Sequence, residues 1–466
     1  MGIESSHAGT QAWQRLAHAM RGSLLLPGSP DYEECRHVWN GAIDRRPLAI
    51  ARCADAEDVS IAVKFAASEQ LPLTIRGGGH NVAGLAVRDD ALMLDLGAMN
   101  RVEIDAQARI AWVEGGALWR DVDAAAQPHG LATTGGFVSS TGVGGLTLGG
   151  GVGWLMRQCG LAIDNLISAD VILADGRCVI ASTDRHADLF WALRGGAGGL
   201  GVVTRFAFRL HAVGEVLAGA VFHPVDAAPS LLRAFRAFTP TAPEPCTLML
   251  VFTSAPPAPF LPPQVHGQPV VALAYCWSGD PAQGEAALAP LTGFGKPLGR
   301  VGGSMPYAAW QQTFDAHAPA GDQYFWTTSI LDGLADEQID AIVQNAAMAP
   351  DPLCEVHVHH LGGAVAAVPS DASAFVHRDA PFFVNAIGHA QGAEKLPGLR
   401  EWARGMRSSL APWARAGMQA NFAGEAGDWQ ARTHDAATRT RLEDVRRKYD
   451  PAGWLAPVRS VQECGR

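Results

Sequence analysis

The first half of the chain alternates between short apolar runs and amphipathic segments. Residues 48–52 and 71–75 have the pattern of short strands, whereas residues 56–68 place apolar side chains at helical spacing behind the capping candidate Asp55. The same two patterns recur up to residue 210. They predict further strands at 91–96, 110–114, 169–173, 178–181 and 202–210, and helices at 117–129 and 188–193.

A different pattern begins after His211. Proline-rich loops now separate the apolar runs, and the predicted elements are longer. This part predicts a sheet covered by helices, so the chain as a whole is expected to have an α+β fold. The predicted strands are 247–253, 269–277 and 353–361, and the predicted helices are 336–347, 399–410 and, close to the end, 436–448.

The composition is that of a globular protein, because 48% of the 466 residues are hydrophobic and 18% are charged. A formal net charge of −10 argues against a nucleic-acid or anionic-membrane partner. No apolar run reaches the ~18 residues that a membrane span needs. The eight cysteines are scattered without a C-x-x-C pair, which is typical of reduced thiols. We therefore expect a cytoplasmic enzyme.

Three glycine-dense stretches lie in the first half, at 77–79, 135–153 and 195–201. Successive glycines expose backbone N–H groups, which can wrap a pyrophosphate without a cationic side chain. A G-x-G-x-x-G pattern starts at Gly196, but a predicted helix precedes it and a predicted strand follows, the reverse of a Rossmann phosphate turn. The glycines predict a dinucleotide cradle of another design, with flexible turns as the alternative.

Short motifs follow the first glycine run in a fixed order. They lie at 76–84 (RGGGHNVAG), 142–153, 160–165, 174–176, 188–196, 360–364, 421–422 and 448–451. This ordered set, which extends from about residue 35 to the end, resembles the berberine-bridge-enzyme-like FAD-linked oxidases of the vanillyl-alcohol oxidase / p-cresol methylhydroxylase (PCMH) superfamily. The resemblance implies a PCMH-type FAD-binding domain at 1–212 with its core at about 43–212, a substrate-binding domain with an antiparallel sheet at 213–417, and a C-terminal segment, 418–466, that returns to the FAD domain.

The resemblance also implies how FAD is held. The histidine after the glycine run bonds covalently to the flavin 8α-methyl group in this family, and His80 has that position. The residues expected at the cofactor are Arg76, Gly77, Gly78, Gly79, His80, Asn81, Val82, Thr141, Gly144, Gly145, Gly149, Gly150, Gly153, Ile163, Val203, Asn421 and Tyr449.

Many relatives attach the flavin a second time, through a cysteine before the pyrophosphate loop. Val138 has that position here, and Cys159 lies beyond the glycine run, where we expect a packed thiol. The resemblance therefore implies a single, histidyl attachment. In this respect the chain resembles a monocovalent bacterial subgroup that includes the enterocin-pathway flavoenzyme.

The catalytic base is less evident. Segment 354–361 alternates so that Glu355, His357 and His359 share one face, which can present a general base, a solvent-exposed polar surface or a metal site; we expect the base and no metal. The tyrosine that relatives carry before the Asn-Phe pair is Gln419 here. Glu355 and His357 are therefore the leading candidates, followed by His359 and Tyr324.

Two further observations concern the reaction. The flavin-contacting asparagines near the end of relatives are replaced by Val458 and Ser460, and aromatic residues are frequent in the middle of the chain. We expect an FAD-dependent oxidase of secondary metabolism that takes two electrons from a bulky, phenolic or polyketide-like alcohol and passes them to O2. The alternatives are an oxygenating flavoenzyme of the flavin-N5-oxide type and a flavin-binding protein without a redox role. The aromatic residues are Phe314, Tyr324, Phe325, Trp326, Phe375, Phe382 and Phe383.

Overall fold

The computed structural model describes residues 9–425 and 432–455. Its α-helices are α1 (Thr10–Ala19), α2 (Tyr32–Arg36), α3 (Ala56–Ser68), α4 (Trp119–Ala126), α5 (Val143–Leu148), α6 (Met156–Cys159), α7 (Ala187–Leu193), α8 (Ala228–Phe238), α9 (Pro281–Thr292), α10 (Tyr307–Gln311), α11 (Asp336–Ala346), α12 (Ala364–Ala367), α13 (Leu396–Leu410) and α14 (Ala436–Tyr449). Its strands are β1 (Ser23–Leu25), β2 (Ala49–Arg52), β3 (Leu73–Arg76), β4 (Leu92–Asp95), β5 (Val102–Asp105), β6 (Ile110–Glu114), β7 (Leu131–Ala132), β8 (Leu166–Ile172), β9 (Cys178–Ser182), β10 (Val202–Arg209), β11 (His211–Ala212), β12 (Glu215–Pro224), β13 (Cys246–Ser254), β14 (Pro269–Trp277), β15 (Gly299–Pro306), β16 (Gln323–Leu331), β17 (Glu355–His360) and β18 (Phe382–Ala390).

The first sheet has the order β1-β2-β4-β3, with β2, β4 and β3 parallel and β1 antiparallel to β2. Helix α3 connects β2 to β3 and begins at Asp55, whose carboxylate accepts the backbone N–H groups of Glu57 and Asp58. Its buried face, which includes Val59 and Ala62, packs in one core with α1 and the sheet. This crossover delivers the first glycine loop directly after β3.

The second sheet is antiparallel, with the order β5-β6-β10-β8-β9. Helices α4 and α7 pack in its core together with α14, which contributes Leu442 and Val445. Helix α14 lies more than 200 residues beyond β10 in the sequence. A late part of the chain therefore helps to build the same core as residues 102–210.

The third sheet is antiparallel, with the order β15-β12-β14-β13-β17-β18-β16. Leu250 and Val358 lie on the face that α8, α9, α11 and α13 cover. On the other face, Met249 packs with Trp154, and Phe383 packs with Ile163. The sheet is thus a roof whose inner face lies against the elements that carry the glycine loops.

The structure confirms the α+β class and the helix-covered antiparallel sheet. The predicted helix 117–129 is shorter in the structure. Helix α4 ends before Pro128, and a 3-10 turn, Gln127–His129, follows it. The sequence patterns missed β12, β15, β16 and β18. Strand β18 is buried along its whole length, so it lacks the alternation by which a half-exposed strand is identified. Within 9–425 and 432–455, no helix combines the length and apolar character of a membrane span.

Candidate active site

A cavity that is open to solvent lies between the glycine loops and the roof sheet. Its lining comes from the loop after β3, the segment around α5, the loop between α7 and β10, and the segment after α13. The lining thus brings backbone from all three glycine-dense stretches to one open space, as an extended dinucleotide requires.

The glycines determine the shape of this cavity. A Cβ atom at Gly78 would lie 2.5 Å from the backbone nitrogen of Gly142, so the two loops cross with their backbones in contact. At Gly145 and Gly198, by contrast, an added Cβ would meet nothing within 4 Å. Because no side chain fills the space at these two positions, a ligand in the cavity can approach the backbone closely.

Charge is scarce along the cavity. Among the described lining residues, Arg88 is the one lysine or arginine and Glu425 the one carboxylate. A pyrophosphate would therefore depend mainly on backbone N–H groups, as the glycine runs predict. The cradle of unsubstituted backbone and the low charge fit FAD.

Eleven of the seventeen predicted cofactor residues line the cavity. They are Gly77, Gly78, Gly79, His80, Asn81, Thr141, Gly144, Gly145, Gly149, Val203 and Asn421.

Asn421 has a further function as a clamp. Its side-chain amide donates to the backbone carbonyl of Leu146 at 2.9 Å, and its carbonyl oxygen accepts the backbone N–H of Gly151 at 3.1 Å. One side chain from the segment after α13 thereby joins both ends of the second glycine loop. Gly149 lies against the same amide, with no room for a Cβ.

The other six predicted residues lie outside the lining, and two of them pack behind the first loop. The Arg76 guanidinium donates to the backbone carbonyl of Cys35, and Val82 packs with Trp39 and Tyr324. Both residues support the His80 loop from behind, and their contact with the cofactor stays a prediction. The motif placed them correctly in the sequence, but the turn directs them away from the cavity.

Gly150, Gly153 and Ile163 support the second glycine loop from below. The backbone N–H of Ile163 donates to Gly150 at 3.2 Å, and Gly153 packs on the carbonyl of Gly135. Their contact with the cofactor also stays a prediction.

Tyr449 lies away from the cavity lining. Its hydroxyl donates to Asp188 at 2.8 Å, which ties α14 to α7. The tyrosine is buried in the core of the second sheet instead of reaching the cavity.

The cofactor residues implied by the resemblance did not include Gly198, Gly199 and Gly201, which line the cavity. The sequence signal for them was the third glycine run, 195–201, which was expected to form part of the cradle. Their φ angles, between 76° and 151°, lie in the region that favours glycine. At the opposite end the wall is aromatic, and Phe137, Trp326 and Phe422 line it.

His80 lies at the cavity wall beside Trp39 and Ser140. Its ring stacks on Trp39 with centroids 4.2 Å apart, and its Nε2 lies 3.4 Å from the Ser140 hydroxyl. Burial lowers the pKa of His80 to about 4, so the imidazole is neutral at neutral pH. A neutral imidazole has a free electron pair on one ring nitrogen, which bond formation to carbon requires.

Val138 lines the cavity, whereas Cys159 does not. Cys159 packs against the apolar cluster around Trp154, and burial raises the pKa of its thiol to about 12. The thiol is therefore protonated and unreactive at neutral pH.

The polar face of β17 is not a solvent-exposed surface, because His359 is 1% exposed and His357 is 9% exposed. Glu355 Oε2 lies 2.7 Å from His357 Nε2, and the Thr253 hydroxyl donates to Glu355 Oε1 at 3.0 Å. Burial raises the pKa of Glu355, but the bonds from His357 and Thr253 and the nearby His317 outweigh it and hold that pKa below its ordinary value. Glu355 and His357 form a bonded dyad with an ionised carboxylate.

The two remaining candidates for the base are less suitable. His359 stacks on Phe383 at 4.1 Å, and burial lowers its pKa well below the ordinary value, so it is a weak base. The Tyr324 hydroxyl donates to the carbonyl of Pro319 at 2.7 Å, and burial raises its pKa, so it is a poor base. None of the four candidates, Glu355, His357, His359 and Tyr324, is itself part of the cavity lining.

Two other predictions concern residues near the end of the chain. The backbone N–H of Gln419 donates to the Thr328 hydroxyl at 3.1 Å, beneath the roof. Val458 and Ser460 lie outside the described residues. Across 9–425 and 432–455, no group of three or more His, Cys, Asp or Glu side chains could hold a metal ion.

Comparisons with known proteins agree with this geometry. Residues 47–182 match a family model described as an FAD binding domain. The chain is 28% identical over 410 residues to an FAD-linked oxidoreductase of Dictyostelium discoideum, covering 87% of each protein. It is 27% identical over 461 residues to (R)-6-hydroxynicotine oxidase of Paenarthrobacter nicotinovorans, covering 93% of this chain and 95% of that protein.

Among solved structures, the chain is similar to the 6-hydroxy-D-nicotine oxidase of Arthrobacter nicotinovorans. The TM-score is 0.82 at 26% identity, and the match covers 94% of this chain and 96% of the other. The fold, the site and these matches define an FAD-dependent oxidoreductase.

Proposed function

We propose that the protein is an oxidase that holds FAD through one covalent bond at His80 and oxidises a bulky aromatic alcohol in the cytoplasm. The observation that carries the proposal is the His80 imidazole, kept neutral by burial, in the wall of a glycine-rich cavity that is also lined by Phe137, Trp326 and Phe422. FAD, when bound, supplies the two-electron acceptor, and O2 reoxidises it.

A single attachment is favoured by the residues at the second candidate position. Val138 offers only carbon atoms to the cavity, and the Cys159 thiol is packed elsewhere. A second thioether would need a thiolate beside the flavin, and the chain supplies none among the described lining residues.

We assign proton removal to the dyad. Thr253 and His357 hold the Glu355 carboxylate, which in turn fixes the His357 tautomer with the proton on Nε2. Nδ1 is then the basic nitrogen that takes the hydroxyl proton of the substrate as the carbinol C–H is oxidised. The dyad lies behind the aromatic wall: the His357 and His359 rings are 5.6 Å apart, and His359 is 5.1 Å from Phe137, which lines the cavity.

The proposed substrate class rests on the aromatic side chains that line the cavity. Phe137, Trp326 and Phe422 favour a planar, apolar body, and the nearest cationic anchor in the lining, Arg88, lies on the first glycine loop side. The relative named (R)-6-hydroxynicotine oxidase also acts on a hydroxylated aromatic compound by its name. Phenolic and polyketide-like alcohols are therefore the first substrates to screen.

The test begins with the attachment. Intact mass and the visible spectrum of the acid-precipitated protein are measured for wild type, His80→Ala and Cys159→Ala. We expect a mass excess of one FAD in wild type and Cys159→Ala and none in His80→Ala. Flavin that leaves the wild-type pellet with acid would refute the covalent link.

The reaction is tested with the same preparations. Oxygen consumption and hydrogen peroxide are followed with a panel of aromatic alcohols, sugars and amines. Faster consumption with the aromatic alcohols, lost in Glu355→Gln, supports the proposal. Activity on sugars alone would contradict the substrate class, and oxygen incorporated into the product would favour an oxygenating enzyme.

A further inference from the structure

Four aromatic rings form a column that leads from the cavity into the roof sheet. His80 stacks on Trp39 with centroids 4.2 Å apart and an angle of 15°, and Trp39 stacks on Tyr324 at 3.9 Å and 22°. Tyr324 stacks in turn on His389 at 4.4 Å and 21°. His80 is the one member that lines the cavity among the described residues.

Hydrogen bonds anchor every ring behind His80. Trp39 Nε1 donates to the carbonyl of Ala318 at 2.9 Å, and the Tyr324 hydroxyl donates to Pro319 at 2.7 Å. His389 Nε2 lies 2.9 Å from the Asp322 carboxylate. The three rings therefore cannot rotate without breaking a bond to the backbone or to a carboxylate.

The column joins two parts of the fold. His80 and Trp39 flank the first sheet, whereas Tyr324 and His389 are neighbours across β16 and β18 of the roof. The Asn40 side chain reinforces the same junction, because its amide donates to the carbonyls of both Val82 and Tyr324. Correct placement of the outer rings thus requires the roof to be in position.

We propose that Trp39 and Tyr324 are positioning residues for flavin attachment: they fix the plane of the His80 ring, so that the covalent bond forms at a useful rate only once the roof has docked. The inference rests on the proposed histidyl link. Attachment forms a bond between an imidazole nitrogen and the 8α carbon of FAD. One hydrogen leaves the imidazole, one leaves the methyl group, and with two electrons they reduce O2 to hydrogen peroxide.

The column acts on this step by orientation. A ring held within 15° of its neighbour presents its nitrogen along one direction, whereas a ring without a stacking partner rotates about its side-chain bonds. Restricting two reacting groups to one geometry accelerates bond formation strongly. Reversible FAD binding depends instead on the backbone of the glycine runs, and no glycine belongs to the column.

The experiment follows attachment separately from binding. Protein is produced in flavin-limited cells, FAD is added, and the mass excess of one FAD is followed over time. We expect Trp39→Leu and Tyr324→Leu to attach FAD at least about tenfold more slowly than wild type. Trp39→Phe and Tyr324→Phe keep a stacking ring and should stay within about threefold. The Kd for FAD, measured in the His80→Ala background, should change little in all four.

Trp402→Leu is the matched control. Trp402 is 7% exposed, against 6% for Trp39, and its indole N–H also donates to a backbone carbonyl. Unlike Trp39, it lies on the helix side of the roof, away from the column. It should attach FAD at the wild-type rate. Equal slowing in Trp402→Leu, or wild-type rates in both column leucine variants, would overturn the inference. If a leucine variant does not fold, the other leucine variant decides. A wild-type protein without a mass excess would instead refute the histidyl link itself.

Discussion

Replacing Asp123 by asparagine should stabilise the protein at alkaline pH and leave it unchanged in acid. Asp123 lies on α4, is 4% exposed, and receives one long hydrogen bond, 3.4 Å from Gln311 Nε2. Burial raises its pKa to about 7 from an ordinary value of 3.8. The carboxyl is therefore neutral in the folded protein at pH 5 and must ionise, buried, at pH 8.

The sign and size follow from proton linkage. Between about pH 4 and 7 the folded state binds more protons than the unfolded state, so the free energy of unfolding falls as pH rises. A pKa difference of about three units is worth at most about 4 kcal/mol, fully expressed above pH 7. Asparagine keeps the shape and the bond from Gln311 but has no charge to bury, so the variant avoids this loss.

The assay is thermal unfolding of wild type and Asp123→Asn from pH 4.5 to 8.5, with equal flavin content. A 466-residue chain responds less than the ~2–4 °C per kcal/mol of smaller proteins, so we expect equal Tm values in acid and a variant several degrees more stable at pH 8. Asp315→Asn is a control, because that carboxylate is held by Ser139 in the same region. A Tm difference that is constant across the pH range would refute the assignment.

Three further predictions concern the site. Glu355→Gln should lower kcat by about 10²–10⁴ in steady-state assays while covalent FAD content is kept, because His357 loses its carboxylate partner; unchanged kcat would exclude the dyad. Asn421→Ala should weaken reversible FAD binding about tenfold, because two hydrogen bonds to the glycine loop are lost. The Kd is measured by titration in the His80→Ala background. An unchanged Kd would show that the loop keeps its conformation without Asn421. Gly142→Ala should abolish soluble, flavin-loaded protein, because the alanine Cβ would meet the Gly78 backbone. Gly145→Ala should fold and lose only FAD affinity, because its Cβ meets nothing in the protein. Equal effects of the two variants on solubility would contradict the loop crossing.

The sequence predicted the parts of the site that are local in the chain. The glycine runs expose backbone, and the alternation at Glu355, His357 and His359 does place them on the inner face of the roof while Val356 and Val358 enter the helix-side core. These features depend on spacing along a few residues, which a strand or a tight turn fixes directly.

The parts that failed depend on distant segments. Tyr324 carries a hydroxyl that is suited to acid–base chemistry, but this hydroxyl donates to Pro319. Its ring stacks on Trp39, which is more than 280 positions away in the sequence. Gly198 was not among the residues expected at the cofactor, since only the packed fold brings the loop between α7 and β10 beside the cavity. Tyr449 follows the family motif but packs on Asp188. Such contacts leave no periodic trace in the sequence.

The clamp made by Asn421 also fixes when the protein can receive its cofactor during synthesis. The loop that carries His80 leaves the ribosome some 340 residues before Asn421, which is roughly 20–70 s at ~5–20 residues per second. Once residue 201 has emerged, the nascent chain has its glycine loops but still lacks the side chain that joins Leu146 to Gly151. Flavin loading therefore belongs after translation, and a chain truncated before residue 421 is expected to be a colourless product, open to proteolysis at its unclosed loop.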